Sequence, residues 1–215
     1  MQVIALVTQK GGSGKTTLCL NLAVAGEALG ARCLILDLDP QGTAEAWYQD
    51  REAPTPRLAR VEAAELPRAL AAARGQGFDY VLLDTPGRDE PGVAAAIRSA
   101  DFCLVPCRPT PADMKAQPST VATVRRLRRP IAFVLTQTPP RGYRIREAET
   151  GLAVLGPVAP VAIVLRNGFQ DAHGAGLGIT EYEPVGKSAA EIRDLWRWLV
   201  RKLEKLRHAS QADLS

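Results

Sequence analysis

Gln9-Lys10-Gly11-Gly12-Ser13-Gly14-Lys15-Thr16-Thr17 is the stretch on which the reading of this chain turns. A nearly continuous apolar run, residues 3–8, precedes it, and a long helical pattern, residues 15–29, follows. A glycine-rich turn between a strand and a helix is where backbone N–H groups converge on an anion. The glycines let the turn face those groups inward, and the helix N-terminus adds partial positive charge. Lys15 is then placed to reach the β- and γ-phosphates of a nucleotide. The Thr16 hydroxyl is placed to ligate Mg2+, and Thr17 to bond near the α-phosphate. The strict pattern G-x-x-x-x-G-K-S/T fails at its first glycine, where Gln9 stands, and an extra lysine, Lys10, comes next.

Outward from this loop, apolar runs of strand type recur at residues 33–37, 80–84, 102–106, 131–136 and 161–165. Runs this uniformly apolar suit parallel strands covered on both faces. Between them lie helical patterns at 44–51, 63–74, 92–99, 112–127, 143–155 and 189–207. The alternation predicts an α/β fold: a doubly wound, mostly parallel sheet flanked by helices, with right-handed crossovers. Ligands in such sheets bind at the carboxyl ends of the strands. The expected organisation is one domain over residues 1–208 and a polar tail over 209–215, with surface loops at 53–56 (APTP) and 138–142 (TPPRG).

With 46% hydrophobic and 23% charged residues, the composition is that of an ordinary globular chain. No apolar run approaches the roughly 18 residues of a membrane span, and the first residues, MQVIALVTQ, lack the basic start of a secretion signal. The expectation is a cytoplasmic protein. Cys19, Cys33, Cys103 and Cys107 fall in or beside apolar segments. They read as buried free thiols, since no second pair or nearby His completes a zinc set around Cys103 and Cys107. The net charge of +4 is concentrated near the C-terminus. Between 187 and 207, seven basic residues (Lys187, Arg193, Arg197, Arg201, Lys202, Lys205, Arg207) face three acidic ones (Glu191, Asp194, Glu204). A second cluster is Arg125, Arg126, Arg128 and Arg129. It ends a helical pattern, so capping of that terminus and contact with nucleic acid are both open readings.

The loop KGGSGKTT resembles the deviant Walker A signature of the ParA and MinD group of P-loop NTPases. The resemblance implies that Lys10 reaches across an ATP-sandwich homodimer to the partner's phosphates, in the manner of an arginine finger supplied in trans. It makes Asp37-Leu38-Asp39-Pro40-Gln41-Gly42 similar to the group's switch segment, and Asp84-Thr85-Pro86-Gly87 similar to a Walker B. On that likeness, nucleotide phosphates are held by Lys10, Gly11, Gly12, Ser13, Gly14, Lys15, Thr16 and Thr17. Mg2+ is held by Thr16 and, through waters, by Asp37 and Asp84. The catalytic set is Lys10, Lys15 and Asp39, with Asp39 orienting the attacking water.

The C-terminal third, from Val164-Leu165-Arg166-Asn167 to Gly178-Ile179-Thr180-Glu181-Tyr182-Glu183-Pro184, Lys187 and Glu191, also looks like the closing segment of ParA-type proteins, with Leu165 in place of their usual proline. It implies adenine contacts from Gln137, Arg166 and Asn167. The last helical pattern puts Ile192, Leu195, Trp196, Leu199, Leu203 and Leu206 on one stripe. Arg193, Arg197, Arg201 and Lys205 lie opposite. Three readings of this helix stay open: core packing with a solvated basic face, non-specific contact with double-stranded DNA through Lys187 and those four residues, or a membrane-surface helix. A ParA-type protein would be nucleoid-associated and work with a ParB-like or cargo-adaptor protein that stimulates hydrolysis. A MinD-like membrane-cycling ATPase is the alternative. An iron–sulfur reductase with the same loop would need a cysteine soon after Walker B, and GRDEPGVAAAIRSA has none. A metabolic ligase of the same fold is ranked last, because it lacks the Lys10 context.

Overall fold

The structure, a computed structural model, describes residues 1–87 and 91–212. Six parallel strands form the sheet: β1 (Gln2–Leu6), β2 (Cys33–Asp37), β3 (Arg57–Arg60), β4 (Tyr80–Asp84), β5 (Phe102–Cys107) and β6 (Ile131–Leu135). Their order is β3-β2-β4-β1-β5-β6. The described helices are α1 (Lys15–Ala28), α2 (Thr43–Gln49), α3 (Leu66–Gly75), α4 (Pro91–Ser99), α5 (Pro111–Arg126), α6 (Tyr143–Ala153), α7 (Gly168–Gly174), α8 (Ile179–Tyr182) and α9 (Lys187–Ala212). The doubly wound α/β architecture is the one expected from the sequence.

Alternation along the strands explains why they read as unbroken apolar runs. Ile4, Leu6, Ile35, Leu82, Phe102, Leu104 and Val134 point to one face, where α1, α7, α8 and α9 cover them. Val3, Ala5, Leu36, Val81, Leu83, Cys103, Val105 and Leu135 point to the other, under α3, α4, α5 and α6. With two buried faces there is no polar side to alternate with. Helix α1 lies inside the first layer, and α9 closes over it. The stripe predicted on α9 is buried: Ile192, Leu195 and Leu199 are fully covered, and Trp196 and Leu203 nearly so. Trp196 stacks edge-on against Tyr80. Because the core consumes this stripe, it is not free to enter a bilayer. Among the described residues, no helix is long and apolar enough to cross a membrane.

Three expectations need correction. Strand β3, Arg-Leu-Ala-Arg, is absent from the sequence reading because it is an edge strand with only Leu58 half-buried and charged ends. The run at 161–165 forms no ladder. Its chain follows β6 through Ala159 N–H to Phe133 O (2.8 Å) and Ile163 N–H to Leu135 O (2.8 Å), so four residues are spent where β6 advances two. The slack follows Pro160, which has no N–H to donate. Lastly, α9 continues through Ala212, so residues 209–212 of the expected tail are helical, and 213–215 lie outside the described residues. In the second basic cluster, Arg125 donates to the Leu155 carbonyl at 2.8 Å and Arg129 to the Arg98 carbonyl, so these two side chains hold the ends of α6 and α4 and not the terminus of α5 itself. All four cysteines are free and buried, and burial pushes the Cys103 and Cys107 thiols up to about 12.

Candidate nucleotide and metal site

The chain crosses over at β1, with β4 on one side and β5 on the other, so the loops after β1, β2, β4, β5 and β6 gather at one carboxyl edge. The phosphate-loop stretch joins β1 to α1 there. Its last glycine, Gly14, sits at the N-cap of α1 with φ 92°, a left-handed conformation that favours glycine. No side chain caps α1, and its first turn holds no acidic residue. The free N–H groups and the positive end of the helix are therefore left for an anion.

The loop is held from β6. The Thr136 hydroxyl donates to Ser13 O and the Gln137 amide nitrogen to Gly12 O, both at 2.8 Å. Gln137 itself has φ 51°, a costly conformation for a side-chain-bearing residue that these bonds maintain. From β4, Gly87 packs so closely that a Cβ there would lie 2.9 Å from Gly11 Cα. The Walker B-like turn thus braces the phosphate loop by backbone contact.

Lys15 is only 6% exposed. Burial lowers its pKa, while Asp84 and Asp39 oppose that shift. Asp37 and Asp84 end neighbouring strands and are Cα partners across the β2–β4 pair. Both are fully buried, but their surroundings differ. Asp37 accepts N–H bonds from Asp39 at 2.9 Å and Glu45 at 3.3 Å, which shape the switch-like turn. Burial still raises its pKa. Asp39, half-buried, accepts from Gln41 N–H at 3.0 Å. Asp84 has no well-formed hydrogen bond to either carboxylate oxygen, and the Thr16 hydroxyl is the one side-chain donor beside it. Burial pushes its pKa up to about 7, with the negative Asp37 beside it adding to the rise and the Thr16 hydroxyl and Lys15 pulling the other way.

A buried carboxylate this sparsely bonded is costly unless a ligand completes it. Thr16, Asp37 and Asp84 present only oxygen, which is the chemistry of Mg2+. Among the described residues no group of three or more His, Cys, Asp or Glu could cage a metal. That suits an ion held largely by phosphate oxygens and water. The residues present fit Mg2+ carried in with a nucleotide. The Ser13 hydroxyl is likewise buried and unpartnered within the loop.

A cleft of about 150 Å3 adjoins the loop, lined by Thr17, Leu18, Gln137, Ile163, Leu165, Arg166 and Phe169 among others. Two of the three residues expected near the base lie here. Asn167 is not in its lining; it stands at the N-cap position of α7, with no side-chain bond to that helix. Arg166 lines the cleft with its charge already committed: its guanidinium grips Glu191 at 2.7 and 2.8 Å and Ser188 at 3.1 Å. It therefore ties the turn before α7 to α9. The apolar walls Leu18, Ile163 and Phe169 went unrecognised in the sequence because they look like any core residue.

Lys10 stands at the loop rim, its side chain 31% exposed, with Nζ 3.1 Å from Asp113 of α5. Arg108, just past β5, places Nε 3.1 Å from the other oxygen of the same carboxylate. Burial disfavours a charged Asp113, yet bonds from Thr110, Arg108 and Lys10 hold its carboxyl below the usual range. Sequence reading missed both partners. The one signal was Thr110-Pro111-Ala112-Asp113, a helix-start pattern that marks Asp113 as local capping chemistry.

A family model described as the CobQ/CobB/MinD/ParA nucleotide binding domain matches residues 4–169. The chain is 33% identical over 213 residues to the maintenance of carboxysome distribution protein A of Gloeobacter kilaueensis, spanning 95% of this chain and 94% of that protein. It is 29% identical over 240 residues to the chromosome-partitioning ATPase Soj of Thermus thermophilus, spanning 94% and 96%. The septum site-determining protein MinD of Pyrococcus horikoshii, solved with Mg-ADP, shares the fold with a TM-score of 0.74 at 18% identity, over 91% of this chain and 94% of that one. With its strand–loop–helix phosphate site at the sheet's switch point, this chain belongs to the CobQ/CobB/MinD/ParA nucleotide-binding family, as a ParA/MinD-type P-loop ATPase.

Proposed function

We propose that residues 1–212, through the end of α9, act as one ParA-like ATPase domain, a cytoplasmic protein that associates with the nucleoid. It closes a sandwich homodimer around ATP, binds double-stranded DNA without sequence preference, and positions a large cargo through hydrolysis stimulated by a ParB-like or adaptor protein. The observation that carries this reading is Lys10: a second lysine at the rim of a phosphate loop whose own lysine, Lys15, is already buried in the site. One lysine suffices to neutralise phosphate charge within a subunit, so a partly exposed second one suits a phosphate outside it. The similarity to Soj and to the carboxysome distribution protein supports the same role.

In the reaction a water oxygen attacks the γ-phosphorus, the bond to the β–γ bridging oxygen breaks, and ADP and phosphate leave. Gly11 through Thr17 bind the phosphates with backbone N–H groups, and Lys15 neutralises their charge. Asp39, held in the turn built on Asp37, orients the water. Lys10 of the partner subunit neutralises charge developing on the leaving side. Mg2+, held by Thr16 and through waters by Asp37 and Asp84, would supply further charge neutralisation on the phosphate oxygens. Gln137, Arg166 and the adjoining apolar walls seat the base.

Lys187, Arg197, Arg201 and Lys205 are exposed along α9, on the side away from its buried stripe. Arg193 is half-buried and donates to Pro184 O at 2.9 Å, and Arg197 pairs with Asp194 at 3.0 Å. Surface pairs of that kind are weak and exchange readily for phosphate. The test is fluorescence anisotropy of a random-sequence duplex with Mg·ATP or Mg·ADP at two salt concentrations. The expected result is binding only with ATP, falling steeply with salt. Arg201→Ala and Lys205→Ala should each reduce the salt slope by about 1. No binding in either nucleotide state would remove the DNA reading and favour a membrane-cycling protein, to be checked by vesicle co-sedimentation.

A further inference from the structure

The Lys10–Asp113–Arg108 cluster has a charge balance that the proposed reaction does not use. Two cations share one carboxylate: Lys10 at 3.1 Å from one oxygen and Arg108 at 3.1 Å from the other. The Thr110 hydroxyl also donates to Asp113. Asp113 is 2% exposed while the two cations are 31% and 30% exposed, so the buried member stays and the cations are free to leave. Residue Gln9, beside Lys10, is docked on the same helix: its N–H donates to the Thr120 hydroxyl at 3.4 Å and its side chain accepts from Ser119. The first half of the phosphate loop is therefore fastened to α5 within one subunit. Arg108 also overhangs the loop, with a terminal nitrogen 4.0 Å from the place a Cβ on Gly12 would occupy.

We propose that Asp113 and Arg108 form a release latch for Lys10: Asp113 keeps the lysine in its own subunit until the ATP dimer closes, and Arg108 stays behind as Asp113's counter-ion when Lys10 leaves. The inference rests on Lys10 acting in trans. Its physical core is that a buried carboxylate stripped of its last cation is strongly penalised. A cluster of one carboxylate and one lysine would resist giving the lysine up. A cluster with a second cation gives it up and remains a neutral pair. Both residues are positioning residues, acting on phosphate only through Lys10.

The two halves of the latch predict opposite signs. Asp113→Asn removes the hold on Lys10. Each latch is worth about threefold, of the order of a partly exposed ion pair. Two lysines move per dimer, so the ATP-dimer dissociation constant should fall about tenfold. Arg108→Gln leaves Lys10 as the sole counter-ion, so the same constant should rise by a similar factor. In an Asp113→Asn background Arg108→Gln should change nothing further, and in a Lys10→Ala background Asp113→Asn should lose its effect. The measurement is sedimentation velocity of full-length protein across a concentration series with Mg·ATP, with thermal melts to show that each variant is folded. Shifts of opposite sign and their loss in the double variants support the latch. Shifts of the same sign, or none, overturn it while leaving the sandwich dimer standing. A wild-type chain that stays monomeric with ATP overturns both. If Asp113→Asn does not fold, Arg108→Gln decides alone: unchanged or tighter dimerisation rejects the latch.

Discussion

Asp84 and Asp113 are both buried aspartates at the carboxyl edge of the same sheet, and they are solvated in opposite ways. Asp84, at the tip of β4, has only the Thr16 hydroxyl and the charge of Lys15 beside it, with no well-formed bond to either oxygen, and burial pushes its pKa up to about 7. Asp113, in the first turn of α5, has a lysine, an arginine and a hydroxyl, and its carboxyl is held below the usual range. The same residue type at a similar depth thus marks two kinds of place. One is unfinished within the chain; the other is already finished. Unsatisfied polarity points to the ligand, and satisfied polarity points to what the chain holds in reserve.

The largest effect that could break this contrast is at Asp84. Asp84→Asn should lower ATP turnover by about a hundredfold or more, since charge-bearing site groups are commonly worth that much. It should also stabilise the nucleotide-free protein at pH 8, because a carboxylate whose charge burial disfavours is removed. The pH dependence follows from the sign of the shift. A folded-state pKa above the unfolded value means that Asp84 destabilises the nucleotide-free chain above about pH 7, and the penalty is relieved as pH falls toward the unfolded value. Thermal melts of wild type and variant should converge as the pH is lowered, and a less stable variant at pH 8 would break the comparison.

Next in size is Lys10→Ala. Partner-stimulated turnover should fall about a hundredfold, by analogy with other cations supplied in trans. Binding of a fluorescent ATP analogue to the monomer should stay within about twofold. Normal stimulated turnover would remove the trans role and leave Lys10 as a surface partner of Asp113.

The smallest effect sharpens the comparison from the other side. Asp113→Asn should destabilise the fold by about 1 kcal/mol, opposite in sign to Asp84→Asn, because it removes satisfied charge-assisted bonds. Its depressed pKa means that this stability is present above the ordinary carboxylate range and is lost as pH falls through the folded value. Acid titration of the melting temperature should therefore show a shallower acid limb in the variant; an unchanged limb would mean that Asp113 contributes nothing as a charge.

Much of the site was legible along the chain because its parts are consecutive. The phosphate loop, Asp37 and Asp39 in one segment, and Asp84 with its following turn each occupy a strand end whose apolar run announces it. The cleft beside the phosphate loop was less legible. Arg166 was expected to face the nucleotide, and its charge is spent on Glu191 in α9. The run at 161–165 was expected to be a strand because its composition is apolar and β-branched. What denies it a ladder is the lag of its chain against β6 around Pro160, which the apolar pattern of the run does not reveal. Edge strand β3 escaped notice for the converse reason: with one half-buried side chain it has no apolar signature to read.

The sequence by itself determined the alternation of buried strands and amphipathic helices, and so the doubly wound sheet. It determined the phosphate loop too, because local backbone freedom and the next helix's N-terminus are set by neighbours in the chain. Only the tertiary structure decided which buried carboxylates would be left sparsely bonded, that Lys10 would rest on Asp113 with Arg108 beside it, and that the α9 stripe would be consumed by the core. Those outcomes depend on which distant side chains meet where water is excluded, and burial, not spacing along the chain, sets what a charge costs there.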